Sequence, residues 1–402
     1  MDSELHGFYG YPGSLKGVFY GPGCMKDALP KLLQMLEVNK ALVVTGKSLH
    51  TKTDVVRKVE QVLKSQNAYG DTFWEVGEHA PVASINAGID ALRRAGADFI
   101  VSVGGVSPIG ASKAIIHRVH EEDRNREYLK HIIVSTTLSA AEYSPNSAYT
   151  DENGEKITIS DRGLTPSGVI LDAELTVSTP ERLWLSTGMR ALDHAVENLY
   201  RKGVPYPFKV LSYDALSTLF TWLPLSKSNP TDLTIRQRLQ IAAWMSRWPL
   251  QPETKSASTG LSHALGHRLG SKYKIPHGIT SCLTLAPVIA LQAQFASPED
   301  KEALARTLFY LKIESAGSVE ADVRLLARTV EHLVAQLGLS TSLGDYGVPR
   351  EDLLQIAQNA LREAGRIESG RNPRSESIVE MLEGLYSRMP LCERVHMFSD
   401  FQ

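Results

Sequence analysis

The sequence predicts an α/β domain with a parallel sheet, followed by an all-helical domain. Two observations lead there. Short β-branched runs alternate with longer helical patterns through the first part of the chain, and helical patterns dominate from about Pro180 onward. Ala41-Leu-Val-Val-Thr45 reads as a buried strand, with a helix over residues 50–66 behind it. Ala97-Asp-Phe-Ile-Val-Ser-Val103 is a second strand and runs straight into Gly104-Gly-Val-Ser-Pro-Ile-Gly110 and a helix. His131-Ile-Ile-Val134 is a third and ends in Ser135-Thr-Thr137. Asp151-Glu-Asn-Gly154 then signals a tight turn between two alternating segments, a β-hairpin over the carboxyl edge of the sheet. Residues 181–202, 208–220, 232–247 and 259–270 follow as helices, with Gly and Pro at most joints. The expected division is 1–178 for the α/β domain and 179–402 for the helical one. No repeat or low-complexity stretch interrupts either.

Composition narrows the class. The chain has 402 residues, 43% hydrophobic and 22% charged, enough for two sizeable cores. A formal net charge of −2 gives no reason to expect a nucleic-acid or membrane-surface partner. Cys24, Cys282 and Cys392 are widely separated and odd in number, so no zinc ribbon, redox pair or disulfide framework is expected. With no apolar leader or membrane-length apolar run, a cytoplasmic enzyme or binding protein is the expectation.

Three constellations could carry chemistry. Gly104 to Gly110 lies between a strand and a helix, where small residues let backbone N–H groups approach a phosphate; it is equally a plain strand-to-helix turn, and its spacing is not the usual dinucleotide fingerprint. Ser262-His-Ala-Leu-Gly-His267 and Pro276-His277-Gly278 place three histidines in a 15-residue window, where 12 in the whole chain would give about half of one. His263 and His267 are four apart and share a helical face. Metal ligation and proton transfer near neutral pH are both open, as are plain solvated histidines. Gly188-Met-Arg-Ala-Leu-Asp-His-Ala-Val-Glu197 puts Arg190 and His194 four apart; the bland account is a surface pairing of Arg190 with Asp193 or Glu197.

In their order these segments resemble the iron-type alcohol dehydrogenase superfamily. The resemblance begins at Val18-Phe-Tyr-Gly-Pro-Gly23 and includes Thr45-Gly-Lys47, Gly104-Gly-Val-Ser107, Ser135-Thr-Thr137 with Glu142, and Lys156. It continues through Val169-Ile-Leu-Asp172, Gly188-Met189 with His194, and the three-histidine segment. Glu197-Asn-Leu-Tyr200, Ser342-Leu-Gly344 and Asn372-Pro-Arg374 look like maleylacetate reductases within that group.

The resemblance implies a Rossmann-like first domain that binds a nicotinamide dinucleotide and a helical domain that closes over it, usually as a homodimer. Gly104, Gly105, Val106 and Ser107 would lie beside the pyrophosphate, Thr136 and Thr137 along the adenosine half, and Lys156 would reach cofactor oxygens. Many NAD-preferring members carry Asp where this chain has Gly46, followed by Lys47; losing a carboxylate and gaining a cation suits the 2′-phosphate of NADPH, with NADH possible.

Three departures matter. Metal-dependent members place an Asp four residues before the helical histidine, and with three histidines it holds the metal. The histidines match His194, His263 and His277, but Arg190 stands in the aspartate's place. A guanidinium about 4 Å from a dication at an effective dielectric near 20 adds repulsion of order 8 kcal/mol. No tightly bound catalytic metal is therefore expected, unless Arg190 swings out and leaves a three-histidine site; Asp193 is expected to be a poor substitute ligand. Val106 replaces a usual glycine and would be strained if that position needs positive φ, or would crowd the cofactor if it needs closeness. Gly110 replaces an Asp of metal-dependent members.

The expected chemistry is hydride transfer from NADPH to a small, anionic carbonyl or enoate substrate. Arg190 would bind a substrate oxygen, and His194, His263, His267 or His277 would donate the proton, His263 and His267 first. One alternative keeps the fold with a degenerate cofactor loop and an isomerase, lyase or hydrolase activity. Another is a non-catalytic binding protein.

Overall fold

The computed structural model describes residues 7–9, 14–77, 81–152, 156–201, 204, 206–247, 260–364 and 373–386. The chain forms two compact units. The first comprises Met1–Pro180 with Asn229–Trp244, the second Glu181–Ser228 with Met245–Gln402. The helical run expected from residue 179 onward thus does not stay in one unit: residues 229–244 return to the first.

The first unit holds strands β1 (Gly7–Tyr9), β2 (Gly17–Tyr20), β3 (Ala41–Thr45), β4 (Tyr69–Phe73), β5 (Phe99–Gly104) and β6 (Lys130–Ser135). The hairpin β7 (Asn146–Thr150) and β8 (Lys156–Ser160) comes next, then β9 (Gly168–Leu171). Seven of these make one sheet in the order β1-β2-β9-β6-β5-β3-β4. Every pairing in it is parallel except β1 with β2. The apolar runs explain why: β3, β5 and β9 are buried along their whole length, as strands covered on both faces must be.

Helices α1 (Met25–Leu36), α2 (Lys47–Lys52), α3 (Val55–Ser65), α4 (Val82–Ala95), α5 (Val106–Glu122) and α6 (Ala173–Thr176) complete the connections. Leu29, Leu32 and Val59 join Val43 and Val101 in one core cluster, while Ile85, Ile89 and Ile115 join Leu42 and Ile100 in the other. Each such fully buried side chain stabilises the fold by about 1.5–3 kcal/mol. The helix expected over 50–66 is two helices. Thr53 breaks it with extended backbone (φ −134°, ψ 168°), and its hydroxyl donates to Leu49 O at 2.6 Å. The hairpin expected from the alternation forms with Thr150 opposite Lys156, and turn residues 153–155 lie outside the described residues.

The second unit is built from α7 (Glu181–Tyr200), α8 (Tyr206–Ser228), α10 (Leu261–Tyr273), α11 (His277–Phe295), α12 (Pro298–Ala305), α13 (Thr307–Leu311), α14 (Val319–Gln336), α15 (Leu353–Ala364) and α16 (Ser375–Glu383). Helix α9 (Leu233–Ser246) runs mostly in the first unit. There Gln237 Nε2 donates to Leu171 O at 3.1 Å and Gln240 Nε2 to Ser135 O at 3.3 Å, at the ends of β9 and β6.

Helices α7 and α11 are the centre of the second unit, α7 being buried continuously from Trp184 to Leu199. Gly278 permits the close approach of α11: a Cβ there would lie 2.4 Å from Ser186 O on α7. Among the described residues α11 alone is long and apolar enough to cross a membrane, but 78% of that stretch is buried inside the fold. It is a core helix.

Candidate functional site

Strand order places one candidate site, in the first unit. β3 pairs with β4 on one side and β5 on the other, so the loops leaving β3 and β5 diverge and open a crevice at their carboxyl ends, where open α/β sheets bind ligands. Thr45, Gly46 and Lys47 form one lip. Gly46 has no atom within 4 Å of where a Cβ would sit, and Lys47 is exposed at the first position of α2.

The other lip is Gly104 and Gly105. Gly104 adopts φ +138°, open to glycine, and its carbonyl accepts from Thr136 N at 3.1 Å. A Cβ on Gly105 would lie 2.7 Å from Thr137 Oγ1, so the backbone here can pack only as glycine. Thr136 and Thr137 are buried beneath the turn, and Thr137 donates to Ser139 Oγ at 3.1 Å. Helix α5 begins at Val106 with no side-chain cap, leaving its first N–H groups for an anionic ligand.

Val106 is not among the residues with positive φ, and its side chain is 38% exposed. The strain considered for a valine here is absent, because the position is the first residue of a regular helix. Ser107 is exposed one step on. Lys156 opens β8; its side chain lies outside what the structure describes. The uncapped start of α5 and the close-packed glycines leave this turn able to take an anionic group.

A separate side-chain cluster lies in the helical unit. Arg190, Asp193, His194 and Glu197 recur at the spacing that shares one face of α7. Arg190 is 2% exposed, and its Nη1 lies 3.1 Å from Ser281 Oγ and 3.5 Å from Asp193 Oδ2. It is neither swung out nor on the surface, and the fork expected to meet a substrate oxygen instead meets Asp193. Asp193 Oδ2 also accepts from Ser262 at 3.0 Å and Ser281 at 2.6 Å. Burial pushes the Asp193 carboxyl up, but the charges of His263 and Arg190 and the Ser281 hydrogen bond outweigh it and hold the carboxyl below its ordinary value. Asp193, set aside as a poor ligand, is the cluster's hub.

His263 Nδ1 lies 2.8 Å from Glu197 Oε2 and 3.4 Å from Asp193 Oδ1, ion-pair distances with the ring N–H off the line of a hydrogen bond. Glu197 also accepts the backbone N–H of Gly260 at 2.8 Å and of His263 at 3.3 Å, so it caps the start of α10 from another helix. A Cβ on Gly260 would lie 2.2 Å from Glu197 Cδ, which leaves glycine the only fit.

The His194 ring lies 4.5 Å from that of His263, tilted by 32°, and its Nε2 takes a 2.8 Å contact from Arg247 Nη1. A guanidinium only donates, so His194 Nε2 is an acceptor and the ring is neutral with its proton on Nδ1. Burial first, then the surrounding positive charges, push its pKa well down. Arg247 thereby occupies one of the two ring nitrogens through which His194 could bind a metal.

His267 and His277 form a separate pair with parallel rings 5.9 Å apart. Both are half-buried rather than sealed. His267 Nδ1 is held by Glu363, whose second oxygen holds Arg268. Burial would raise the Glu363 carboxyl, but these two partners pull it down to about 2. The sequence reading named Asp193 and Glu197 as surface partners of Arg190, whereas both are buried, and it did not name Ser281, Arg247 or Glu363. The spacing of Asp193 and Glu197 from Arg190 on α7 was the available signal.

Comparison with known proteins makes the chain an NAD(P)-dependent oxidoreductase. The chain belongs to the iron-containing alcohol dehydrogenase family: residues 16–173 match the family "Iron-containing alcohol dehydrogenase" and residues 184–386 its C-terminal region. It is 30% identical to maleylacetate reductase of Sphingobium indicum over 312 residues, 78% of this chain and 80% of that protein. It is 24% identical to the NAD-dependent methanol dehydrogenase of Bacillus methanolicus, over 90% of this chain and 95% of that one. The crystal structure of maleylacetate reductase from Agrobacterium tumefaciens superposes with a TM-score of 0.77 at 25% identity, covering 96% of this chain and 99% of that one. These relatives are oxidoreductases by name, which favours the redox reading over the isomerase, lyase or hydrolase alternative.

Proposed function

We propose that the chain is a metal-independent, NADPH-preferring reductase of a small anionic carbonyl or enoate substrate, of the maleylacetate reductase kind. The observation that carries this reading is Arg190, buried on Asp193 at the position where metal-dependent members of the family place a ligating Asp. The residues at the family's metal positions do not fit the metal: one is a guanidinium, and His194 Nε2 is taken by Arg247.

Bound NADPH supplies the hydride. The chain's own residues orient the cofactor and supply the proton. Gly104 and Gly105 admit the pyrophosphate, and exposed Lys47 meets the 2′-phosphate. Of the five expected catalytic residues, His267 is the best proton donor: it is half-buried, and Glu363 holds its ring at Nδ1, orienting it to pass a proton to the oxygen or carbon that becomes saturated. His277 stacks beside it, while His263 and His194 lie sealed behind. A homodimer is part of the proposal, on the strength of the family resemblance.

The test is a titration of metal-stripped protein with NADPH and NADH by nicotinamide fluorescence, followed by a screen of oxo acids. Tight NADPH binding and turnover without metal support the reading. Folded protein that binds neither nucleotide overturns it.

A further inference from the structure

We infer that Arg190, Asp193, Glu197 and His263 form a buried polar cluster, with Arg190 as its built-in cation, that replaces a metal ion as the cross-link of α7, α10 and α11. This deepens the metal-independent reading above and rests on it. The inference starts from charge. Asp193 and Glu197 are both buried and bring two negative charges into the centre of a helical unit, which a fold tolerates only when they are paired. Arg190 returns one positive charge to Asp193, and the His263 ring stands on the other side with Nδ1 2.8 Å from Glu197 Oε2 and 3.4 Å from Asp193 Oδ1.

Geometry gives the cluster the connectivity of a metal centre. Asp193 Oδ2 gathers Arg190 from α7, Ser262 from α10 at 3.0 Å and Ser281 from α11 at 2.6 Å. Glu197 reaches α10 through Gly260 N and His263 N. One carboxylate thus ties three helices, as a coordinated ion would.

The rival occupant is a cation on the same groups, since Asp193, Glu197 and His263 offer ligand atoms within 4.8 Å of one another. Two features oppose it. His263 Nδ1 and Glu197 Oε2 are 2.8 Å apart, whereas two ligands on a tetrahedral zinc at its usual bond lengths stand about 3.3 Å apart. The guanidinium of Arg190 also lies on the carboxylate that the cation would need. Two ligands of one zinc ion do not fit that gap.

The experiment uses the full chain and measures bound metal after exposure to Zn²⁺ and desalting, together with the melting temperature. Wild type should keep almost no zinc. Arg190→Met should melt lower by roughly 5–10 °C, because a buried carboxylate loses its partner. Adding Asp193→Asn should recover much of that loss. Arg190→Asp should take up about one zinc per chain and be stabilised by it, the carboxylates now lacking their built-in cation. If Arg190→Asp does not fold, the Arg190→Met and Arg190→Met/Asp193→Asn pair decides. Wild type that retains one zinc per chain, or Arg190→Met that melts like wild type, overturns the inference. Metal-free wild type that melts as expected but turns over no oxo acid with NADPH would instead count against the reductase reading, leaving the cluster standing.

Discussion

Arg190 Nη1 lies 3.5 Å from Asp193 Oδ2, and the two side chains are 2% and 0% exposed. A cation three residues from an anion on an exposed helix contributes a few tenths of a kcal/mol; sealed from water, the same pair cannot be opened without stranding a charge. Asp193 is accordingly held below its ordinary carboxylate value. Its contribution to stability is present above the unfolded carboxylate range and is lost as pH falls through the folded value. Asp193→Asn should therefore weaken the acid limb of a stability-against-pH curve, measured by urea unfolding.

Glu363 makes a second contribution on the same limb. Its carboxyl is pulled from 4.5 to about 2 by His267 and Arg268 against the upward push of burial. That stabilisation is complete above pH 4.5 and disappears between there and about pH 2. Glu363→Gln should remove it. The same substitution should lower kcat of the NADPH reaction by more than it changes KM, because it frees the His267 ring.

His131 reports on the other unit. It lies inside the sheet with Nε2 2.8 Å from Ser102 Oγ, and burial, then the charge of Lys113, lowers its pKa from 6.5 to about 3. The unfolded chain takes up a proton below pH 6.5 that the folded chain refuses, so stability declines from there to about pH 3. His131→Gln, which cannot charge, should flatten that decline, and a histidine NMR titration should find the wild-type ring neutral at pH 5.

The nucleotide crevice yields a paired prediction. Gly105→Ala places a methyl group 2.7 Å from Thr137 Oγ1 and should weaken NADPH binding about 10-fold or more. Val106→Ala trims a side chain that is already 38% exposed at a helix start and should change binding little. Lys47→Asp should lower the NADPH to NADH affinity ratio by about 10- to 100-fold, the size of one charge-assisted hydrogen bond.

The proton donor is tested by His267→Gln. Loss of a positioned general acid lowers kcat by about 10²–10⁴-fold. Equal loss in His263→Gln but none in His267→Gln would move the role to the inner ring.

Much of the fold was legible because its signals are local. The β-branched runs at 41–45, 97–103 and 131–134 are the buried strands β3, β5 and β6, and the Gly104–Gly105 turn lies between strand and helix as its composition suggests. The break at Thr53 was not legible, because it depends on a hydroxyl bond to Leu49 O inside an otherwise helical pattern. The return of residues 229–244 to the first unit was hidden too, since Gln237 and Gln240 read as ordinary helix surface until they meet the carbonyls of Leu171 and Ser135. At the candidate site, sequence spacing singled out the histidines and Arg190 for attention. It misjudged Asp193 and Glu197, because their partners come from α10 and α11, some 60 to 90 residues away in sequence.

The most direct test of the central claim is NADPH oxidation by exhaustively metal-stripped protein with oxo-acid substrates, with and without a chelator. The account predicts the same turnover in both, with far less than one metal ion per chain throughout. Activity that vanishes on stripping and returns only with added iron or zinc would contradict it.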